Sequence, residues 1–103
     1  MSNFYILDEE RKVVPCDLMT WVRYFGSNSR RIGWTRVLDK ASVSTIFQGN
    51  DFQTGPGGPP LIFETVVFGG HLNREMNRYS TWDEAVAGHE AMVARVQKRE
   101  SNT

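Results

Sequence analysis

The sequence predicts an α+β domain: an antiparallel sheet of four to five strands with two helices packed on one face. Three observations carry that prediction. Two segments place apolar residues at helical spacing behind a capping side chain, one near the start of the chain and one at its end. Between them lie short runs of β-branched and aromatic residues, and Gly, Pro, Asn and Asp punctuate those runs.

Phe4 to Leu7 and Lys12 to Val14 flank an acidic break at Asp8–Glu10 and read as a hairpin or a strand with an extended return, closed by Pro15, which lacks a ladder donor. Asp17 is placed to cap a helix, with Leu18, Trp21, Val22 and Phe25 on one stripe and Gly26 as a left-handed stop. Ile32 to Leu38 and Val43 to Phe47 read as adjacent antiparallel strands joined at Asp39-Lys40. Gly49 to Pro60 is a long Gly/Pro connection expected at the surface. Leu61 to Phe68, nearly all apolar, reads as a central strand covered on both faces and ended by Gly69-Gly70. Asn73 to Tyr79 alternates poorly and reads as an edge strand or extended loop. In the last segment Thr81 and Glu84 form a capping box ahead of a stripe through Trp82, Ala85, Val86, His89, Val93 and Val96. The domain is expected to span residues 1–97, with 98–103 a frayed tail.

Composition narrows the function classes. At 103 residues one core does all the folding, and no staple is needed for stability. Twelve basic and twelve acidic residues balance, so no global field draws the chain to a phosphate backbone or an anionic membrane, and nucleic acid is a disfavoured partner. A single cysteine, Cys16, points to a reducing compartment, and neither a signal peptide nor a membrane span is expected; the expected location is cytoplasmic. One cysteine and two histidines, His71 and His89, do not make a paired zinc-ligand spacing, and no metal or cofactor is expected.

The residues left for contact are arginines and a loop. Arg30 and Arg31 in one turn and Arg74 and Arg78 in another suit an anionic ligand, with Arg78 just ahead of a helix N-terminus and Tyr79 or Trp34 available for stacking. Solvated charges offset by nearby acids give the same pattern. Asp51 and Phe52 in the Gly/Pro loop form a candidate contact surface for a partner; the GPGGPP run lacks the Lys and hydroxyl residue of a phosphate-binding loop. Glu64 interrupts an apolar strand, so it is either exposed or paired with a cation, Arg36 and His89 being candidates. Glu64 with His89 would serve as acid and base only if both open into one pocket. Trp21, Trp34 and Trp82 read as core anchors.

From Tyr5 to Val96 the chain resembles a group of small uncharacterised proteins encoded by bacteriophages and prophages. The resemblance is carried by Asp17-Leu18-Met19-Thr20-Trp21, Arg30-Arg31, Ser44-Thr45-Ile46-Phe47, the run Gly58 to Gly70, and Arg78-Tyr79-Ser80-Thr81-Trp82 continuing to Gly88-His89-Glu90. It implies a setting in an infected bacterial cytoplasm and no transferable activity. Three expectations follow: a binding protein for a host or viral macromolecule, an inhibitor of antiviral defence among them, with a homodimer as one expected state; a sponge for a small anionic ligand such as a signalling nucleotide; and, third, a small enzyme using Glu64 and His89.

Overall fold

The computed structural model describes residues 3–51 and 58–102, in the order β1 (Phe4–Leu7), β2 (Val13–Cys16), α1 (Leu18–Ser27), β3 (Arg31–Val37), β4 (Ala41–Phe47), β5 (Phe63–Phe68), β6 (Met76–Tyr79) and α2 (Trp82–Ser101). The α+β class is as expected, with the strands divided between two antiparallel sheets: the β1-β2 hairpin and a four-stranded meander β3-β4-β5-β6.

Asp8 organises the β1-β2 turn, its Oδ1 accepting from the backbone N–H groups of Glu10 and Lys12. Pro15 lies within β2 opposite Tyr5 and does not end it. The N–H of Tyr5 points the other way, to the carbonyl of Gly49 at 2.8 Å, so Tyr5 and Pro15 form a non-hydrogen-bonded pair and the missing donor costs no ladder bond. That same bond, with a bridge between Phe4 and Asn50, ties the hairpin to the chain leaving β4.

Helix α1 starts as expected, with Asp17 Oδ1 accepting from the N–H of Thr20 at 2.8 Å. Its end differs from expectation. Gly26 stays inside the helix, and the cap is Asn28 in extended conformation, whose side-chain amide donates to the carbonyl of Tyr24 at 2.9 Å. A donor supplied by that side chain makes a left-handed residue unnecessary.

The register assigns side chains to the two faces of the four-stranded sheet, because they alternate with a period of two. Val37, Ala41, Val43, Thr45, Phe47, Phe63, Thr65 and Val67 share one face, and all are buried. Helix α2 lies on that face and contributes Ala85, Met92 and Val96. Met92 takes the buried place expected of Val86, which is exposed. Helix α1 reaches the same face through Tyr24 and Phe25, which meet the Phe47 ring at 6.3 and 5.7 Å, and the hairpin adds Tyr5, Leu7 and Val13. Both helices thus sit on one side of the sheet, as the sequence predicts.

The capping box of α2 forms around the Thr81 hydroxyl, which accepts from the N–H of Glu84 at 3.1 Å and donates to the Glu84 carboxylate at 3.0 Å. The helix continues through Lys98–Ser101, where a tail is expected from sequence. Glu100 explains the extension. Its side chain is 2 % exposed and accepts from the His71 backbone N–H at 2.6 Å and faces His71 Nδ1 at 3.0 Å, fastening the last turn of α2 to the β5-β6 connection. These bonds hold its carboxyl below the ordinary value of 4.5.

Candidate functional site

The second face of the sheet carries Arg31, Trp34, Arg36, Ser42, Ser44, Ile46, Glu64, Val66, Phe68, Met76 and Arg78 in register. No described helix or strand packs on it, since the contacts of both helices and the hairpin fall on the opposite side. β5 is interior in strand order, and on this face Glu64 is buried and Val66 partly buried while Phe68 is exposed, so the expectation that β5 is covered on both sides fails at its Phe68 end. Trp34 is 49 %, Phe68 51 % and Met76 45 % exposed, so three large apolar side chains share one uncovered sheet surface.

Local sequence builds the centre of this surface. Ser42 and Ser44 on β4 are small, and across them the rings of Trp34 on β3 and Phe68 on β5 lie 23° from parallel with centroids 6.4 Å apart. A bulge between Arg31 and Gly33 shifts the register of β3. It lets Ile32 pack on the Phe47 cluster while Arg31 faces outward, its guanidinium 5.1 Å from the Trp34 ring centre. Arg36 donates to the Ser42 hydroxyl at 3.2 Å and to the Asp39 carbonyl at 2.9 Å, with its Nε 4.0 Å from the Asp39 carboxylate. Trp34 is therefore corrected from core anchor to surface residue.

Glu64 is directly opposite Arg78, whose Nε donates to its carboxylate at 3.1 Å. The pairing expected from sequence is present with a different cation: Arg36 lies across the sheet, and His89 is on the other face. His89 Nδ1 meets the Thr45 hydroxyl at 2.7 Å, Nε2 meets that of Thr35 at 2.9 Å, and Thr45 meets Thr65 at 2.6 Å. The ring sits so close to β3 that a Cβ on Gly33 would stand 3.0 Å from it. Burial pushes the His89 pKa below its ordinary 6.5, against an opposing influence from Glu90. The sheet separates Glu64 from His89, so the acid–base pair has no common pocket.

The other candidates disperse. Arg30 packs over Phe25 at 4.2 Å and Trp21 at 5.4 Å, while its neighbour Arg31 joins the open face. Arg31 and Arg78 lie on opposite edge strands of that face, about 14 Å apart at ordinary strand spacing. Arg74 sits in the β5-β6 turn with a left-handed φ of 76°. Tyr79 is opposite Phe63 on the covered face, against Gly88 of α2, which removes it as a stacking surface. Asp51 accepts from the N–H of Leu61 at 3.2 Å and braces the ends of the Gly/Pro connection. Phe52 lies outside the described residues. Sequence reasoning missed Phe68 and Met76 as contact residues.

A cleft of about 480 Å³ lies between the β1-β2 turn and the start of α2, where Arg11 stands 4.5 Å over the Trp82 ring. Glu10, Lys12 and Asp83 also line it, and none of the sequence-derived contact residues does. Among the described residues no group of three or more His, Cys, Asp or Glu side chains is arranged to hold a metal ion. Among the described residues no helix is long and apolar enough to cross a membrane.

No family model matches the chain, and neither the curated proteins nor the solved structures contain a match.

Proposed function

We propose that this chain is a protein-binding module whose contact surface is the open face of the four-stranded sheet. A single observation carries the reading: Trp34 and Phe68 stand side by side and half exposed on a sheet whose other face is fully used for folding. Tryptophan, methionine and arginine are the residues in which protein interfaces are enriched, with tryptophan and arginine prominent among binding hot spots. All three types occur here, grouped around two small serines. The likeness to phage-encoded proteins makes host and viral proteins the first partners to test, and interference with a host defence protein the first role.

The test is cross-linking from a photoreactive residue at position 66 on the open face, compared with position 90 on the exposed side of α2, in bacterial lysate. Adducts from position 66 only, lost in a Trp34→Ala/Phe68→Ala variant, are expected. Equal adducts from both positions, or none from position 66, would overturn the reading. A second reading, capture of a small anionic ligand, draws on the Arg31 guanidinium over Trp34. Calorimetric titration with a panel of nucleotides separates the two, and flat titrations throughout remove the second.

A further inference from the structure

We infer that the occupant of the open face is a segment of a partner protein that carries two carboxylates about 15 Å apart on either side of an apolar side chain. The inference rests on the reading above and adds the partner's chemistry to it.

Charge is the first ground. The face holds three guanidiniums, from Arg31, Arg36 and Arg78, and one carboxylate, Glu64, which faces Arg78 at 3.1 Å. Among the described residues Arg31 has no carboxylate within 4.0 Å, and Arg36 has only the outermost reach of Asp39, a fully exposed side chain. The Arg31 guanidinium thus remains for a partner. That of Arg36 is held only by the Ser42 hydroxyl, the Asp39 carbonyl and the distant Asp39 carboxylate, neutral or weak contacts that a partner's carboxylate can displace. Arg31 and Arg36 flank Trp34 on β3, five positions apart, or about 15 Å along an extended strand. A guanidinium takes a carboxylate in a two-pronged geometry, so acids at that separation with an apolar group between them match Arg31, Trp34 and Arg36 in order.

Size is the second ground. Four strands at about 4.8 Å spacing and a few residues of each give a patch under about 20 Å on a side. That accommodates one helix or one extended segment and falls short of the roughly 800 Å² per partner of a standard stable interface. A second copy of this chain is the poorer occupant, because each face carries three guanidiniums against the one Glu64 carboxylate, so two such faces meeting bring together an excess of like charge. A single-stranded nucleic acid is also poorer: Trp34 and Phe68 could each stack a base, but the few cations beside them cannot follow a run of phosphates.

The experiment selects binders to the full chain from a displayed random-peptide library and measures the selected peptides by fluorescence anisotropy. The probes beside them are an oligo-dT strand for nucleic acid and sedimentation of the chain alone for self-association. Acidic peptides with an aromatic or aliphatic residue are expected, with affinity falling at least tenfold in Arg31→Glu/Arg36→Glu and falling again in 0.5 M salt. Arg31→Lys/Arg36→Lys, which keeps the charge and loses the two-pronged geometry, is expected to bind more weakly than the native chain and more tightly than the charge reversal. Neutral or basic peptides, or indifference to the charge reversal, overturn the inference while the loss of binding in Trp34→Ala/Phe68→Ala keeps the open face as the site. Binding untouched by that double alanine variant overturns both. Tighter binding of oligo-dT than of any peptide, or a dimer that the double alanine variant dissociates, replaces the occupant and overturns the inference. Urea unfolding of each variant confirms that it is folded before its binding is read.

Discussion

The two faces of the four-stranded sheet are made from the same four strands and differ in what covers them. One face meets α2, the aromatic end of α1 and the hairpin, and every β4 and β5 side chain on it from Ala41 to Phe47 and from Phe63 to Val67 is buried. Its polar members are satisfied by one another in the Thr35–His89–Thr45–Thr65 chain. The other face also holds large apolar groups, Trp34, Ile46, Val66, Phe68 and Met76, yet Trp34, Phe68 and Met76 stay half in water. Hydrophobic residues are therefore divided between a face that makes the fold and a face that the fold leaves over. A small domain keeps such a surface only at a cost in solubility, which is a reason to look for what covers it.

The comparison can be broken most severely by removing rings from the covered face. Phe63→Ala and Phe47→Ala are expected to lose about 3 to 5 kcal/mol in urea unfolding, a large part of the stability of a domain this size. A loss below 1 kcal/mol in either would mean that the core is elsewhere. Next in size is the polar chain. His89→Ala leaves Thr45 and Thr35 without their ring partner between sheet and helix, and about 1 to 3 kcal/mol should be lost.

The same histidine gives the covered face a pH dependence. Its folded pKa lies below 6.5, so the unfolded chain binds more protons just under that value; stability falls as pH drops through that window and levels off beneath the folded pKa. Glu100 acts in the same direction at lower pH, because its carboxyl is held below 4.5 by His71 and its contribution is lost as pH falls through its folded pKa. Thermal unfolding across this range checks the sign: His89→Gln should flatten the upper step, and Glu100→Gln the lower. A melting temperature that rises on acidification from pH 7 would contradict both.

The smallest expected effect is at the tip joining β3 to β4. Leu38 and Asp39 both have left-handed φ, 50° and 55°, and the Leu38 side chain is 49 % exposed. Leu38→Asn with Asp39→Gly puts the preferred turn residues there and should gain about 1 kcal/mol, leaving the covered face unchanged and removing from the open face only the exposed Asp39 carboxylate near Arg36. A loss of stability would show that Leu38 is held by contacts that this account omits.

How much of this the sequence disclosed depends on which physical signal each part uses. Helix starts were legible, since Asp17 and Thr81 act through bonds to residues three positions away. The α1 end was not, because the Asn28 amide does the work assigned to Gly26. Glu64 was legible as a paired carboxylate, but naming Arg78 required the β5-β6 register, a pairing between residues 14 apart. The open face had one usable signal. A carboxylate at 64 must lie off the apolar core face, which fixes the parity of β5, so Val66 and Phe68 point the same way. Reading the run as covered on both sides suppressed that step. Arg30, Arg31, Arg74 and Arg78 look like clusters along the chain, whereas strand alternation and the width of the sheet disperse them.

The most direct measurement is the unfolding free energy, by urea titration, of the Trp34→Ala/Phe68→Ala variant beside Phe63→Ala. If the open face is held in reserve for a partner, the double variant loses only the ring–ring contact, about 1 kcal/mol, and Phe63→Ala loses several times as much. A double variant as destabilised as Phe63→Ala, by 3 kcal/mol or more, would place Trp34 and Phe68 in the folding core and contradict the division of the sheet.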